Sequence, residues 1–311
     1  MSEIKHYGLR LTAAIVACLL WSLAFVFIKI GLGYMPPFQF AGIRFLISGL
    51  ILLPFVVYHV RRKPTGVGCV TLVKSIPRLF VLGNLQIGIK YACFYLGVSL
   101  LPAALSALIS GTGPLVVALL AHFVTADDKL RGRQILALLL GLAGVVLLTL
   151  TRNTMGAVGD WALFGIILLI LTNLFTGVGD LWVRKEAQRL PSILIACSSL
   201  LAGGFVLLLF GWLTEGIAPL PVSPKFYGSL LALCTISSGA FGLWFWVLQD
   251  PLVKVSRLHV WKFLIPLFGA LTSWLFLPNE YPSLWGIVGM SFIVLALIFL
   301  FWHKKKRAEI A

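Results

Sequence analysis

Residues 102–151 read PAALSALISGTGPLVVALLAHFVTADDKLRGRQILALLLGLAGVVLLTLT. From Pro102 to Val124 there is no Asp, Glu, Lys or Arg. Five charged residues then fall between Asp127 and Arg133, and a second apolar run follows. A helix crosses a bilayer with about 20 mostly apolar residues. The stretch therefore reads as two spans joined by a charged turn. The same rhythm extends in both directions. Ten runs are marked, at 9–32, 37–60, 77–99, 102–124, 133–151, 160–183, 191–213, 226–249, 255–277 and 283–302. Prolines and charges such as Pro36-Pro37, Arg61-Arg62-Lys63, Arg184-Lys185-Glu186 and Asp250-Pro251 separate them, as helix stops should.

Composition agrees. Of 311 residues, 60% are apolar and 11% charged, whereas soluble domains carry about a quarter charged residues. The chain is too poor in charge to coat soluble globules. Ten spans leave no room for a separate soluble domain. The first run lacks a small-residue cleavage site and reads as retained. The five cysteines are scattered without metal or redox spacing, and no metal or cofactor is expected.

The 25 Lys and Arg against 10 Asp and Glu would suggest nucleic acid in a soluble protein. In a membrane protein, basic residues gather in cytoplasmic loops. With the N-terminus inside, 19 basic residues fall on the inner side, two (Arg152 and Lys225) on the outer side, and four within spans. That asymmetry predicts ten spans with both termini cytoplasmic, and makes the basic tail at 304–311 an orientation signal rather than a nucleic-acid site.

The chain also repeats. A shift of 152 residues lays Gly113-Pro114-Leu115 over Ile265-Pro266-Leu267, Asp128 over Glu280, and Ala118 over Ala270. Each half holds a mid-span proline, with a carboxylate 14 residues later. Five spans is an odd number, so the second copy must lie upside down. The expected fold is all-α and integral to the membrane: ten transmembrane helices as two inverted five-helix repeats, residues 7–153 and 158–303. Inverted repeats recur in secondary transporters, with the substrate near the midplane.

The stretch LLWSLAFVFIKIGLGYMPPFQFAGIRF carries Trp21, Lys29, Pro36 and Arg44. Together with residues 102–150 and with KFLIPLFGALTSWLFLPNEYPSLWGIVGM, it resembles the EamA branch of the drug/metabolite transporter superfamily. The resemblance covers about residues 9–302. It departs at Asp127-Asp128 and Pro278-Asn279-Glu280, where the family usually has Gly-Glu. It implies a ten-helix carrier of the bacterial inner membrane. Spans 1–4 and 6–9 would surround a central cavity, with spans 5 and 10 peripheral. It names no substrate.

Ionisable groups within spans usually face a cavity or a partner. Lys29 and Arg44 lie near the outer ends of spans 1 and 2 and read as gate or structural residues that snorkel to the headgroups, with substrate contact as the alternative. Lys90, near mid-depth in span 3, and Lys262, in span 9, read as cavity cations or as lysines bonded to helix carbonyls. Among the acids only Asp180 is well inside a span, near its cytoplasmic end, and it is read as a gate or structural residue. The cavity is therefore expected to be positive and to attract a small organic anion or zwitterion: a carboxylated metabolite, a vitamin or an amino acid. Gln86 shares the Lys90 face at helical spacing, and Tyr91 and Tyr95 flank it. His259 shares a face with Lys262 and Pro266. Trp21 and Asn173 match under the repeat, and Trp244 is a further candidate lining residue. Pro114 and Pro266 are expected bends for alternating access. Gly141 and Gly144 fit close packing within the chain or a homodimer seam.

Competing readings are poorer. Gly177-Val178-Gly179-Asp180 matches an intramembrane aspartyl protease pattern, but that chemistry needs two carboxylates sharing a proton. Asp160, the nearest acid in the same span, is 20 residues away. A Gly-x-Ser-x-Gly elbow is absent. An exporter of amino acids or other metabolites with broad specificity is a second transport reading. A non-transporting membrane enzyme or scaffold is the alternative from another class.

Overall fold

A computed structural model describes residues 2–62, 69–101, 103–150, 160–276 and 284–301. Among these residues all regular structure is helical. The elements are α1 (Ser2–Leu32), α2 (Pro37–Arg62), α3 (Cys69–Gly83), a π-helical turn (Asn84–Gly88), α4 (Ile89–Ser99), α5 (Ala103–Gly111), α6 (Gly113–Val124) and α7 (Gly132–Leu150). They continue as α8 (Ala162–Glu186), α9 (Ser192–Glu215), α10 (Pro224–Leu248), α11 (Val255–Val260), a 3-10 turn (Trp261–Phe263), α12 (Leu264–Phe276) and α13 (Leu284–Phe301). Six stretches are long and apolar enough to cross a membrane: Gly8–Leu32, Pro37–Arg61, Val73–Ser99, Ala162–Glu186, Ser192–Glu215 and Pro224–Leu248. Shorter apolar helices run Ile109–Val124, Gly132–Leu147 and Leu284–Phe299. Large apolar side chains such as Phe123, Leu163 and Leu213 stand exposed on them. Water would punish such a surface, and lipid suits it.

Three expected spans are interrupted. The run 77–99 contains the π-helical turn, and α3 begins earlier, at Cys69. The run 102–124 breaks at Thr112, between α5 and α6. The run 255–277 is three pieces, α11, the 3-10 turn and α12. Pro114 and Pro266 are therefore not mid-helix kinks. Each sits in the first turn of the helix after a break, where a missing N–H costs no intrahelical bond. Under the 152-residue shift Thr112 falls on Leu264, the first residue of α12. Glu280, the expected image of Asp128, lies outside the described residues.

The chain divides into two compact units. One comprises Met1–Tyr95 and Val178–Val253, the other Leu96–Gly177 and Lys254–Ala311. In the first unit α2 packs on α9, α1 on α10, and α9 also on the π-helical turn. Glycines bring α2 and α9 close. A Cβ on Gly42 would lie 2.5 Å from Leu208 N, and one on Gly204 2.7 Å from Leu46 N. Gly49 meets Leu201, and Gly211 meets Gln39. Contacts that climb α2 descend α9, so the two helices are antiparallel. Glu215 closes one end of the pair. Its carboxylate accepts from Phe38 N at 2.9 Å and Gln39 N at 3.1 Å, capping the first turn of α2. Gly216 follows at φ 74°, a left-handed conformation that favours glycine. At the other end of α1, Arg10 donates to the Trp246 carbonyl, lies over the Trp246 ring and pairs with Asp250 at 3.7 Å.

In the second unit α7 packs on α13, α11 on α6 and α5 on α7. A Cβ on Gly144 would lie 2.5 Å from Gly289 O, and one on Gly141 2.4 Å from the Phe263 ring. Of the two uses read for these glycines, the structure supports packing within the chain.

Gly204→Ile should force α2 and α9 apart and destabilise the protein by about 2–3 kcal/mol. Gly228 has open space around it, and Gly228→Ala should leave the melting temperature level or slightly higher. Thermal unfolding of the purified protein in detergent checks both.

Candidate functional site

The polar centre of the first unit is built around the π-helical turn. A π turn widens the helix locally and often marks a functional segment. Here it buries Asn84 and Gln86, with Lys90 one turn further on. Glycines let neighbours close on it. A Cβ on Gly203 would meet Ile87 Cβ at 2.4 Å, and one on Gly179 would meet Gln86 Cδ at 2.7 Å.

That approach sets Asp180 against Gln86. Gln86 Nε2 donates to Asp180 Oδ1 at 2.7 Å, and Trp244 Nε1 donates to Asp180 Oδ2 at 3.0 Å. Asp180 is 2% exposed. Hydrogen bonds to a charged group are worth about 1.5–3 kcal/mol each, so the two donors fix the carboxylate firmly.

An aromatic wall runs on from Trp244. Trp21 packs edge-on against Trp244 at 5.3 Å between centroids and against Phe241 at 5.5 Å. Phe241 meets Phe45, Phe45 meets Tyr91 at 4.7 Å, and Tyr91 meets Tyr95. Two cations lie along this wall. Lys90 is buried, with Nζ 4.8 Å from the Tyr91 centroid and 5.4 Å from that of Phe241. The Arg44 guanidinium carbon lies 4.1 Å from the Phe45 centroid and 5.8 Å from that of Tyr91. Ring faces attract cations, by about 2 kcal/mol or more where water is excluded.

Most of the residues read from the sequence meet here. Trp21, Gln86, Lys90, Tyr91, Tyr95 and Trp244 belong to this unit, and Arg44 and Asp180 belong with them. One expectation changes: Arg44 does not snorkel, being 3% exposed beneath aromatic rings. Asp180 bonds two of the expected site residues. The cluster therefore holds both signs of charge, two cations and one carboxylate. The side chain of Lys29 lies outside the described residues. Phe45, Phe241 and Asn84 were not read from the sequence. Asn84 is a polar residue in an apolar run, and that was the available signal.

The remaining candidates belong to the other unit. Asn173 donates to Ile109 O at 2.9 Å and to Thr112 Oγ1 at 3.1 Å. It thus serves polar groups left by the break between α5 and α6. His259 is fully buried in α11, and Lys262 is half-buried in the 3-10 turn. The acid turn in the middle of the stretch 102–151 also acts here. Asp128 is fully buried and accepts from Ser256 N at 2.9 Å and from the Ser256 hydroxyl. It caps α11 from the end of α6. Lys254 Nζ donates to Asp127 O at 2.6 Å.

A recess of about 930 Å³ opens elsewhere in the first unit, walled by Phe55, Tyr58, His59, Arg189 and Trp246 among others. None of the expected site residues lines it. Phe55 and Tyr58 are more than half exposed, so its mouth is a surface feature.

A helical chain with this much outward apolar surface and several helices long enough to span a bilayer is an integral membrane protein. The EamA-like transporter family model matches residues 9–150 and again 163–302, and the chain belongs to that family. It is 26% identical over 300 residues to the uncharacterized transporter YvbV of Bacillus subtilis (strain 168), covering 96% of this chain and 93% of that one. It is 24% identical over 275 residues to an S-adenosylmethionine uptake transporter of Rickettsia prowazekii (strain Madrid E), covering 86% and 84%. A solved crystal structure shares the fold with a TM-score of 0.80 at 20% identity, covering 96% of this chain and 98% of the other. The family and the two named relatives are transporters.

Asp128→Ala and Ser256→Ala should each lower stability, and the double variant should cost less than their sum. A double-mutant cycle on thermal unfolding should give a coupling of about 1–3 kcal/mol.

Proposed function

We propose that this protein is a secondary transporter that moves a small carboxylated zwitterion across the bacterial inner membrane by alternating access. One observation carries the substrate class: cations and a carboxylate are buried along a single aromatic wall in the first unit. Lys90 and Asp180 are complementary to the carboxylate and ammonium ends of an amino-acid-like molecule. Tyr91, Phe241, Trp21 and Trp244 suit a ring or other apolar body between those ends. The S-adenosylmethionine named for the Rickettsia relative is chemically an amino acid carrying a purine. An amphoteric cluster favours zwitterions over simple anions.

The ten-span reading, residues 7–153 and 158–303 as inverted repeats, is supported from two sides. The family model matches the chain twice. In addition, α2 packs antiparallel on α9, the helix in the same place in the second half. The six long helices, the two broken spans, α7 and α13 make up the ten. Cytoplasmic termini rest on the distribution of Lys and Arg.

Flux in proteoliposomes tests the function. Radiolabelled amino acids, their decarboxylated amines and their deaminated acids are compared. Zwitterions should enter, and both truncated series should be slower by at least about tenfold, the loss of one charge-assisted contact. Lys90→Ala should abolish flux in a protein that is still inserted and folded. Lys262→Ala should reduce it less. Unchanged flux in Lys90→Ala would remove that lysine from the site, and equal flux of amines and amino acids would end the zwitterion reading.

A further inference from the structure

Arg44 carries an unmet demand. Its Nε and Nη1 are buried and have no hydrogen-bond partner among the described residues. A guanidinium is always charged, and leaving its donors dry costs several kcal/mol unless an anion or acceptor meets them. Its surroundings are otherwise finished. The Phe45 ring lies over it, Tyr91 meets it with ring and hydroxyl, and its own carbonyl accepts from the Ser48 hydroxyl at 2.6 Å. The helix is thus satisfied, while the side chain is held in place with donors to spare. A purely structural arginine would turn those donors to a carbonyl or a carboxylate of the protein.

Arg44 and Lys90 share one ring, that of Tyr91. An anion held by Arg44 therefore lies beside the aromatic wall. We infer that Arg44 is the carboxylate anchor of the transported molecule, through Nε and Nη1, with Lys90 as its electrostatic neighbour. Arg44 suits this better than Lys90 does. Its planar, directional donors match a carboxylate, whereas an ammonium is a point charge. In the conformation described the nitrogens are shut from solvent, and the opening phase of alternating access admits the ligand. This inference deepens the zwitterion reading and rests on it for the word transported; the anion site itself stands on Arg44 alone.

Benzoate and benzamide serve as probes, being alike in shape and different in charge. The full chain is purified in detergent and its melting temperature followed against each. Benzoate should raise it saturably, and benzamide should not. In Arg44→Gln the benzoate midpoint should weaken by at least about tenfold, as when a charge-assisted hydrogen-bonding pair is lost. Arg44→Lys keeps the charge, removes the planar donors and should recover only part of the response. If Arg44→Gln does not fold, a benzoate midpoint in Arg44→Lys equal to the wild type overturns the inference. So does an unchanged midpoint in Arg44→Gln, or an equal response of the wild type to both probes. Inorganic phosphate is run alongside, and a response to phosphate stronger than to benzoate overturns the carboxylate assignment. Failure of the transport reading looks different: benzoate binding that depends on Arg44, with no flux of any carboxylate in proteoliposomes.

Discussion

Burying an ionised group where neither water nor lipid headgroups reach it is the constraint on which this structure turns. Each such group costs several kcal/mol unless hydrogen bonds and counter-charges answer it. The first unit buries Arg44, Lys90 and Asp180 together and answers them unequally. Asp180 receives two strong donors. Lys90 lies against the rings of Tyr91 and Phe241, and Arg44 against that of Phe45, with Nε and Nη1 of the guanidinium still to be met. The close packing nearby follows from the same need. The glycines of α9 and α8 let helices approach until Gln86 reaches the carboxylate.

The second unit handles its exposed backbone ends differently. Its spans break at Thr112 and at the 3-10 turn before Leu264, and breaks in a span leave carbonyls and amides that hydrocarbon cannot satisfy. Asn173 meets those of the first break, and Asp128 caps the helix ahead of the second. Glu215 does the same for α2 in the first unit. Polar residues in this chain thus divide into two kinds. One kind repairs the backbone, and the other forms the buried cluster for which a ligand is proposed.

The sequence made the helical, membrane-spanning character legible, because about 20 apolar residues between charged turns have few other uses. It also showed most of the polar cluster, since Gln86 and Lys90 are one turn apart and cannot face lipid. Three features were hidden for physical reasons. The π-helical turn, against which α9 packs, has no residue signature. Arg44 was read by depth along its own helix, and depth does not reveal the rings that neighbouring helices bring over it. Asp180 was judged by its distance from the middle of one span, whereas its partners come from two others. Asn173 was read as a lining residue because repeat position was the only guide, and its hydrogen bonds to Ile109 and Thr112 give it a structural task.

On the proposed function, alternating access opens the buried Lys90 to water and substrate, so that it lies neither in lipid nor in permanently sealed packing. Lys90→Cys in a background with the five native cysteines replaced measures this directly. The expected result is modification by a membrane-impermeant, charged thiosulfonate reagent, slowed several-fold by a transported amino acid. Reaction only with a lipid-soluble maleimide, or a charged-reagent rate that no amino acid alters, would contradict it.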